Sequence, residues 1–402
     1  MNDRTEQPLF STGMKALLVA QFISALADNA LLFAAIALMK SLAYPDWSIP
    51  LLQEFFVIAF IIFAPFVGPI ADAYPKGRVM LYSNAIRLGG ASAMLLGVPP
   101  LICYAIVGLG AAAYSPAKYG ILRQLVDEER LIKANSLIEG STIVAILLGA
   151  VLGGQLADLS IIWALVFVVA CYAVAMVINF FIPRLPIVHP LEHFDPVALA
   201  KDFIAGAKVL LRLPDARFSV LGTSLFWGSG ATLRFMLVAW VPVALGIVDN
   251  STAANLSGVV AIGIAIGAAL AARFITLGNI NRVLIFGALS GVLVFALSQS
   301  TSLQPSIALL IGVGLCGGLF AVPLNALLQE KGHETVGAGH AIAVQNFCEN
   351  IAMLLMLGAY IALLRMGLSV PTAGAIVGGI LLTGMLLIGA GRLWGRLKSA
   401  GS

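Results

Sequence analysis

Long apolar runs recur along the whole chain and constrain its fold more than any other feature. Each run is about 20 residues or longer and carries few charges, the length that an α-helix needs to cross a hydrocarbon core about 30 Å thick. Strands of a membrane barrel would be about 10 residues long and would alternate apolar with polar positions. Of the 402 residues, 60% are hydrophobic and 10% charged. The sequence therefore predicts an all-α membrane protein.

Breaks at proline, glycine and charged residues divide the runs into about twelve predicted spans. They cover residues 16–40, 51–72, 79–97, 100–122, 135–157, 160–182, 217–246, 255–275, 282–299, 304–328, 338–364 and 370–391. With a cytoplasmic N-terminus, nearly all lysines and arginines fall in cytoplasmic loops, and only Lys40 and Arg365 fall on the opposite side. This pattern predicts an even number of spans and two cytoplasmic termini.

The longest polar break follows the sixth predicted span and separates two predicted six-helix bundles. We expect an N-terminal bundle, a cytoplasmic linker and a C-terminal bundle at residues 1–183, 184–216 and 217–402. The linker contains a predicted amphipathic helix, with Lys201, Lys208 and Arg212 on one face and Phe203, Gly206 and Leu210 opposite. Such a helix either rests on an anionic membrane leaflet or is a solvated linker, and the sequence leaves both alternatives open.

The two halves repeat. Pro116 and Pro323 lie 207 residues apart, and each is followed two positions later by a polar residue, Lys118 or Asn325. Nearly the same offset relates Asp28 in the first span to Arg234 in the seventh. Parallel six-span repeats around a central cavity are a transporter architecture, with the substrate near the midplane between the halves. We therefore expect Asp28 and Arg234 to face each other across such a cavity.

Six charged residues lie inside the predicted spans: Asp28, Arg87, Lys118, Glu139, Arg234 and Glu349. A charge in hydrocarbon is expensive, so an ionisable residue there is a candidate for function. The predicted substrate-binding or gating residues are Asp28, Asn29, Lys118, Arg234, Glu349 and Asn350. Arg87 and Glu139 are expected to be structural. The resting partner of Asp28 stays open between Arg234, Lys118 and the substrate, and each of these charges could also serve only to hold helices together.

The sequence gives little support for a metal site, a cofactor site or an enzymatic site. The four cysteines all lie in apolar runs, so we expect no disulfide, metal site or cofactor. The residues from Gly312 to Gly317 match the pattern GxGxxG but lie inside a predicted apolar helix. A dinucleotide-binding site needs this pattern directly after a strand, so we expect no such site here. The pairs Gly149/Gly153 and Gly263/Gly267 have the GxxxG spacing of close helix packing. No histidine lies at midspan, which disfavours a membrane-embedded acyl-transfer enzyme, and no nucleic-acid partner is expected.

The segment GPIADAYPKGRVM, Gly68 to Met80, resembles the loop signature of the major facilitator superfamily. The matching residues are Gly68, Asp72, Lys76, Gly77 and Arg78, although the spacing after Asp72 departs from the common form. The resemblance implies the fold of that superfamily, with 12 transmembrane helices in two bundles around a central cavity. It also implies that these five residues form a cytoplasmic conformational loop, in which Asp72 caps helix ends and Gly68 lets helices approach.

Four longer segments, QFISALADNALLFA, GLGAAAYSPAKYGIL, LFWGSGATLRFMLVAWVPVALGI and VPLNALLQEKGHETVGAGHAIAVQNFCEN, resemble the bacterial lysophospholipid transporters of that superfamily. The resemblance implies inward flipping of lysophosphatidylethanolamine and lysophosphatidylglycerol across the bacterial inner membrane, with membrane lipids as neighbours. It implies re-acylation of the product by a separate acyltransferase/acyl-carrier-protein synthetase, and a polar cavity at Asp28, Lys118 and Arg234. Since the substrate already lies in the membrane, we expect alternating access with lateral entry between spans.

Two rival functions stay open. A drug or small-solute/proton antiporter of the same fold would use Asp28 as its proton carrier, but the usual GPxxGG of the fifth span reads Gly149-Ala-Val-Leu-Gly-Gly here. A scaffold or receptor could dock an acyltransferase through the linker helix. Paired charges at repeat-equivalent positions disfavour the scaffold, because a scaffold has no need to bury them. The energy source of transport is left undecided.

Overall fold

Thirteen α-helices make up the computed structural model of the protein, which describes residues 10–126, 128–183, 185, 187, 195–336 and 338–400. They are α1 (Thr12–Ser41), α2 (Leu51–Ala73), α3 (Lys76–Leu95), α4 (Pro100–Leu125), α5 (Glu128–Leu159), α6 (Ile161–Asn179), α7 (Pro196–Arg212), α8 (Pro214–Trp240), α9 (Asn250–Phe274), α10 (Val283–Ser298), α11 (Leu303–His333), α12 (Ala338–Arg365) and α13 (Val370–Ala400). The described residues contain no strand. The predicted all-α class is confirmed.

Twelve of the thirteen helices coincide with the predicted spans, and α7 lies in the predicted linker. Within the described residues, 11 helical segments are long and apolar enough to cross a membrane. Helix α3 falls short because it carries Lys76, Arg78, Asn84 and Arg87. Three of these side chains, Lys76, Asn84 and Arg87, are nevertheless buried in the protein. The polarity of α3 therefore faces other helices, which is where intramembrane charges belong, and the chain is a multi-pass membrane protein.

The helices form two compact units, one of Met1–Tyr44 and Phe55–Ala200 and the other of Pro45–Glu54 and Lys201–Ser402. The predicted bundle limits at residues 183 and 217 stay predictions, and residues 184, 186 and 188–194 of the predicted linker lie outside the described residues. Each unit has its own apolar core. Met14, Leu17, Met80 and Leu122 belong to the first core, and Phe218, Phe226, Phe320 and Leu324 to the second.

Helix packing repeats between the units. In the first unit α1 packs against α5 and α6, and α3 packs against α4 and α6. In the second unit the corresponding helices repeat this arrangement, with α8 against α12 and α13 and α10 against α11 and α13. The internal repeat inferred from Pro116 and Pro323 is thus present in the packing: each proline lies inside its helix, α4 or α11.

Glycines allow the closest of these helix contacts. A methyl group at Gly263 or Gly267 of α9 would collide with the carbonyl oxygen of Ile311 or Leu315 on α11. In the first unit, Gly149 of α5 contacts the backbone of α1 at Leu26 in the same way. The GxxxG spacings therefore mark close backbone approach, as predicted. The segment that lacks the proline of the antiporter signature, Gly149 to Gly154, packs against α1.

Helix α7 buries Phe203 and Leu210 and leaves Lys201, Lys208 and Arg212 exposed, which is the division of faces predicted from the sequence. The Phe203 ring lies 5.7 Å from the His340 ring and 5.4 Å from the Phe347 ring, both on α12. A methyl group at Gly206 would collide with the same imidazole. Gly206, which interrupts the apolar face of α7, therefore permits the helix to lie against His340.

Gly267→Ala is expected to destabilise the protein by about 1–3 kcal/mol, because its methyl group has to displace the Leu315 backbone. The measurement is thermal unfolding of the purified protein in detergent. Gly379→Ala on α13 is the matched control, since a methyl group there meets no atom within 4 Å. It should leave stability unchanged or raise it by up to about 1 kcal/mol, the helix propensity difference. Equal melting temperatures for both variants would contradict the packing account.

Candidate functional site

A cavity of about 210 Å³ with charged and apolar side chains in its wall lies within the first unit, among helices α1 to α5. It is lined by Gln21, Ala25, Asp28, Asn29, Phe56, Phe60, Arg87, Ala111, Tyr114, Ser115, Lys118, Thr142 and Ile146. This volume is below the roughly 300–1,000 Å³ of sites that enclose a drug-sized ligand. The cavity suits a small polar group and contains three of the six predicted site residues, Asp28, Asn29 and Lys118.

Asp28 is held by two neighbours at the cavity wall. Its Oδ2 lies 3.3 Å from Arg87 Nη1, and its Oδ1 accepts a hydrogen bond of 2.7 Å from the Tyr172 hydroxyl. The Arg87 side chain is 4% exposed and that of Asp28 is 23% exposed, so the pair is largely shielded from solvent and its electrostatic attraction is strong. The contacts join α1 to α3 and α6, and a buried bond from Ser24 Oγ to Asn84 Oδ1 at 3.1 Å adds a second link between α1 and α3.

Arg87 is not one of the partners of Asp28 expected from the sequence, which were Arg234, Lys118 and the substrate. Arg87 lies near the middle of the predicted span 79–97 and of helix α3, Lys76–Leu95. Arg87 therefore lines the cavity and also joins α3 to α1 through Asp28, and the expectation that it is structural stays a prediction. Its guanidinium carbon also lies 4.7 Å from the centroid of the Tyr114 ring, a cation–π contact. Tyr172 gave no signal in the sequence, because it is one tyrosine in an apolar run.

Three more residues contribute polar groups to the cavity. Lys118 is buried, two residues after Pro116, and its Nζ lies 4.3 Å from the centroid of the Tyr119 ring. Gln21 donates a hydrogen bond to Thr142, which joins α1 to α5 beside the cavity. Asn29 Nδ2 donates a hydrogen bond of 2.9 Å to the Ala25 carbonyl of its own helix. The cavity thus combines two cations and one anion with neutral hydrogen-bonding groups.

The other three predicted site residues belong to the second unit. Arg234 is half-buried on α8. Glu349 is buried on α12 and accepts a hydrogen bond of 2.8 Å from Gln345 Nε2. Asn350 Nδ2 donates a hydrogen bond of 2.7 Å to the Asn346 carbonyl of the same helix. The pairing of Asp28 with Arg234 stays a prediction.

The profile of the Major Facilitator Superfamily matches residues 17–357 of the chain. The chain belongs to the major facilitator superfamily. It is 53% identical over 392 residues to a protein of Photorhabdus laumondii named Lysophospholipid transporter LplT, covering 98% of both chains. It is 54% identical over 356 residues to the protein of that name in Serratia proteamaculans, covering 89% of both.

A solved structure with the same fold is a POT family transporter in complex with 5-aminolevulinic acid. Its TM-score is 0.77 at 12% identity, and the match covers 95% of this chain and 97% of that one. At this identity the likeness concerns the fold alone. It confirms the predicted superfamily fold.

The loop signature of the superfamily lies between α2 and α3. Lys76 is buried, and its Nζ donates a hydrogen bond of 3.2 Å to the Ala71 carbonyl at the end of α2. A Cβ at Gly77 would lie 3.0 Å from the Ile182 side chain, while Arg78 is exposed. A Cβ at Gly68 would meet no atom of the described residues within 4 Å, and its expected role in helix approach stays a prediction. The Asp72 side chain lies outside what the structure describes, and its capping role stays a prediction.

Removing Arg87 should destabilise the protein by about 3 kcal/mol, because it leaves Asp28 as an unpaired, mostly buried charge. Asp28→Asn in the same chain should recover much of that loss, since no buried charge remains. The measurement is a double-mutant cycle on thermal unfolding with Arg87→Met, Asp28→Asn and the double variant. Arg78→Met, which removes an exposed arginine from the same helix, is the matched control. Additive effects of the two substitutions would contradict a direct ion pair.

Proposed function

We propose that this protein transports lysophospholipids such as lysophosphatidylethanolamine and lysophosphatidylglycerol from the outer to the cytoplasmic leaflet of a bacterial inner membrane. Transport proceeds by alternating access, with both termini in the cytoplasm, and a separate acyltransferase/acyl-carrier-protein synthetase re-acylates the product. The observation that carries the proposal is a headgroup-sized cavity inside a membrane-spanning unit that is lined by Arg87 and Lys118. The name shared by the two relatives, at 53% and 54% identity, supports the substrate class.

The phosphate of a lysophospholipid is the natural ligand for the two cations. Arg87 Nη1 forms the ion pair with Asp28, whereas the buried Nε of Arg87 has no hydrogen-bond partner within the described part of the chain. A phosphate oxygen would satisfy this donor through a charge-assisted hydrogen bond, and Lys118 adds a compact positive charge on α4. Asp28 then acts first by orienting Arg87. Its remaining exposed surface can also meet an ethanolamine ammonium.

The neutral cavity residues suit the rest of the headgroup. Gln21, Asn29 and Thr142 offer amide and hydroxyl groups to glycerol oxygens, and they lie on α1 and α5 beside the two cations. A lysophospholipid has one free glycerol hydroxyl where a second acyl chain would otherwise be attached. A cavity of about 210 Å³ accommodates the polar part only.

The acyl chain needs an apolar path outside that cavity. Phe56 and Phe60 of α2 line the cavity, while Ile58, Ile62 and Phe63 of the same helix are exposed large hydrophobic residues. We propose that the acyl chain lies along this helix while the headgroup is bound. Such an arrangement is compatible with lateral entry from the membrane, because the apolar chain never has to cross water.

The alternative function, a proton antiporter with Asp28 as the carrier, is disfavoured by the contacts of Asp28. Taking up a proton there would weaken both the Arg87 ion pair and the Tyr172 hydrogen bond. An enzymatic function is also disfavoured, because the similar proteins are named as transporters.

Lys118→Gln is expected to lower lysophosphatidylethanolamine uptake at least about tenfold, the effect of losing one charge-assisted hydrogen bond of about 1.5–3 kcal/mol. The measurement is the initial rate of uptake of labelled lipid into spheroplasts at matched membrane expression. Lys331→Gln removes a lysine outside the cavity, paired with Glu334 at 2.9 Å, and should retain the normal rate. Normal uptake by the Lys118 variant would contradict the proposed phosphate site.

A further inference from the structure

An arginine and a tryptophan of the second unit are stacked on each other at one end of its helices. The guanidinium carbon of Arg365 lies 4.7 Å from the centroid of the Trp47 ring. Trp47 belongs to a short 3-10 helix, Asp46–Ser48, which lies between α1 and α2 and packs against α12. Arg365 is the last residue of α12. The proposed phosphate site at Arg87 and Lys118 does not use this pair.

The pair lies on the side of the membrane from which a lysophospholipid of the outer leaflet would start. The α1–α2 connection follows the first span and the α12–α13 connection follows the eleventh, so both connections lie on the same side. With both termini in the cytoplasm, as proposed, that side is opposite to the cytoplasm. Tryptophan is enriched at the membrane–water interface, where its ring lies at the level of the lipid headgroups. Trp47 and Arg365 are therefore expected at the depth of the phosphates of the outer leaflet.

Stacking leaves the guanidinium of Arg365 able to bind an anion. Its N–H groups lie in the plane of the guanidinium, so they stay available when an aromatic ring covers one face. Arg365 is exposed, and no carboxylate of the described residues forms an ion pair with it, although the exposed Asp46 precedes Trp47 in the chain. The helix dipole favours a basic residue at a C-terminus, but it does not explain a tryptophan from a separate segment. Trp47 holds the arginine in one orientation and so lowers the entropy cost of binding.

An exposed apolar stripe on α12 ends beside this arginine. The stripe consists of four exposed residues that recur at helical spacing, Leu355, Ala359, Ala362 and Met366. At a rise of about 1.5 Å per residue the stripe is about 16 Å long. Arg365 is the neighbour of Met366 at one end of it. A lipid with one acyl chain can therefore place its phosphate at Arg365 and its chain along the stripe.

We propose that Arg365, oriented by Trp47, binds the phosphate of a lysophospholipid in the outer leaflet before the lipid reaches the proposed phosphate site. The lipid phosphate is a diester with one negative charge, and the guanidinium can meet two of its oxygens through parallel hydrogen bonds. Such an entry site collects substrate when the lipid is scarce and adds nothing to the rate once the lipid is saturating. This inference rests on the proposed function and adds an earlier binding step to it.

The test is the initial rate of lysophosphatidylethanolamine uptake into spheroplasts as a function of lipid concentration, at matched membrane expression. Arg365→Gln should raise KM about fivefold, the effect of losing one exposed hydrogen bond to the phosphate, and should leave kcat unchanged. Trp47→Leu keeps the charge but removes its aromatic support, so KM should rise less. Lys40→Gln is the matched control, because it removes the other basic residue expected on this side of the membrane. It should keep the wild-type KM.

A wild-type KM in Arg365→Gln would overturn the proposal. An equal rise of KM in Lys40→Gln would also overturn it, because the effect would then be one of general surface charge. A lower kcat at unchanged KM in Arg365→Gln would do the same, since it would indicate a role in conformational change. Absence of uptake by the wild-type protein would instead refute the proposed transport function.

Photo-cross-linking decides the entry site without transport. A lysophosphatidylethanolamine with a diazirine in its acyl chain should label the stripe segment of α12 in the wild type and in Lys40→Gln. At sub-saturating lipid, labelling should fall about fivefold in Arg365→Gln. Unlabelled lysophosphatidylethanolamine should compete, whereas phosphatidylethanolamine with two acyl chains should not. Unchanged labelling in Arg365→Gln would refute the proposal, and equal competition by the two-chain lipid would identify a site for bilayer lipid instead and refute it as well.

Discussion

The ion pair between Asp28 and Arg87, with the Tyr172 hydroxyl on the second carboxylate oxygen, is the interaction on which the first unit depends. Neither charge is stable alone inside a membrane span. Together they join α1, α3 and α6, and they fix a guanidinium at the wall of a cavity. This explains why the least apolar helix, α3, is tolerated among spans, since its charges face the protein interior. The pair therefore serves stability and the proposed phosphate site at once.

The two units share one pattern of helix packing but differ in chemistry at equivalent positions. The first unit offers Lys118 and Arg87 at a cavity, whereas the second offers Asn325 and Glu349 within a hydrogen-bonded cluster. The repeat thus preserves the scaffold while the polar residues inside it diverge. We propose that an anionic headgroup binds to the cavity of the first unit.

Hydropathy predicted the helices well, because length and apolar content are local properties of the chain. The 207-residue offset between the two halves also identified Lys118 and Asn325 as equivalent positions. Partners in space were harder to predict. Arg87 was missed as the partner of Asp28 because the sequence does not show which side chain of a neighbouring helix it meets. Tyr172 and Gln345 were missed because a single polar side chain in an apolar run carries no periodic signal, and its partner depends on how helices pack.

The central claim is that Asp28 and Arg87 build a headgroup site. It is tested most directly by the initial rate of lysophosphatidylethanolamine uptake in Arg87→Lys and Arg87→Gln, each shown to be folded and present at wild-type levels. Lysine keeps a charge for Asp28 and the phosphate, so we expect partial activity. Glutamine removes that charge, and its rate should fall at least about tenfold below wild type. A wild-type rate in folded Arg87→Gln would contradict the claim.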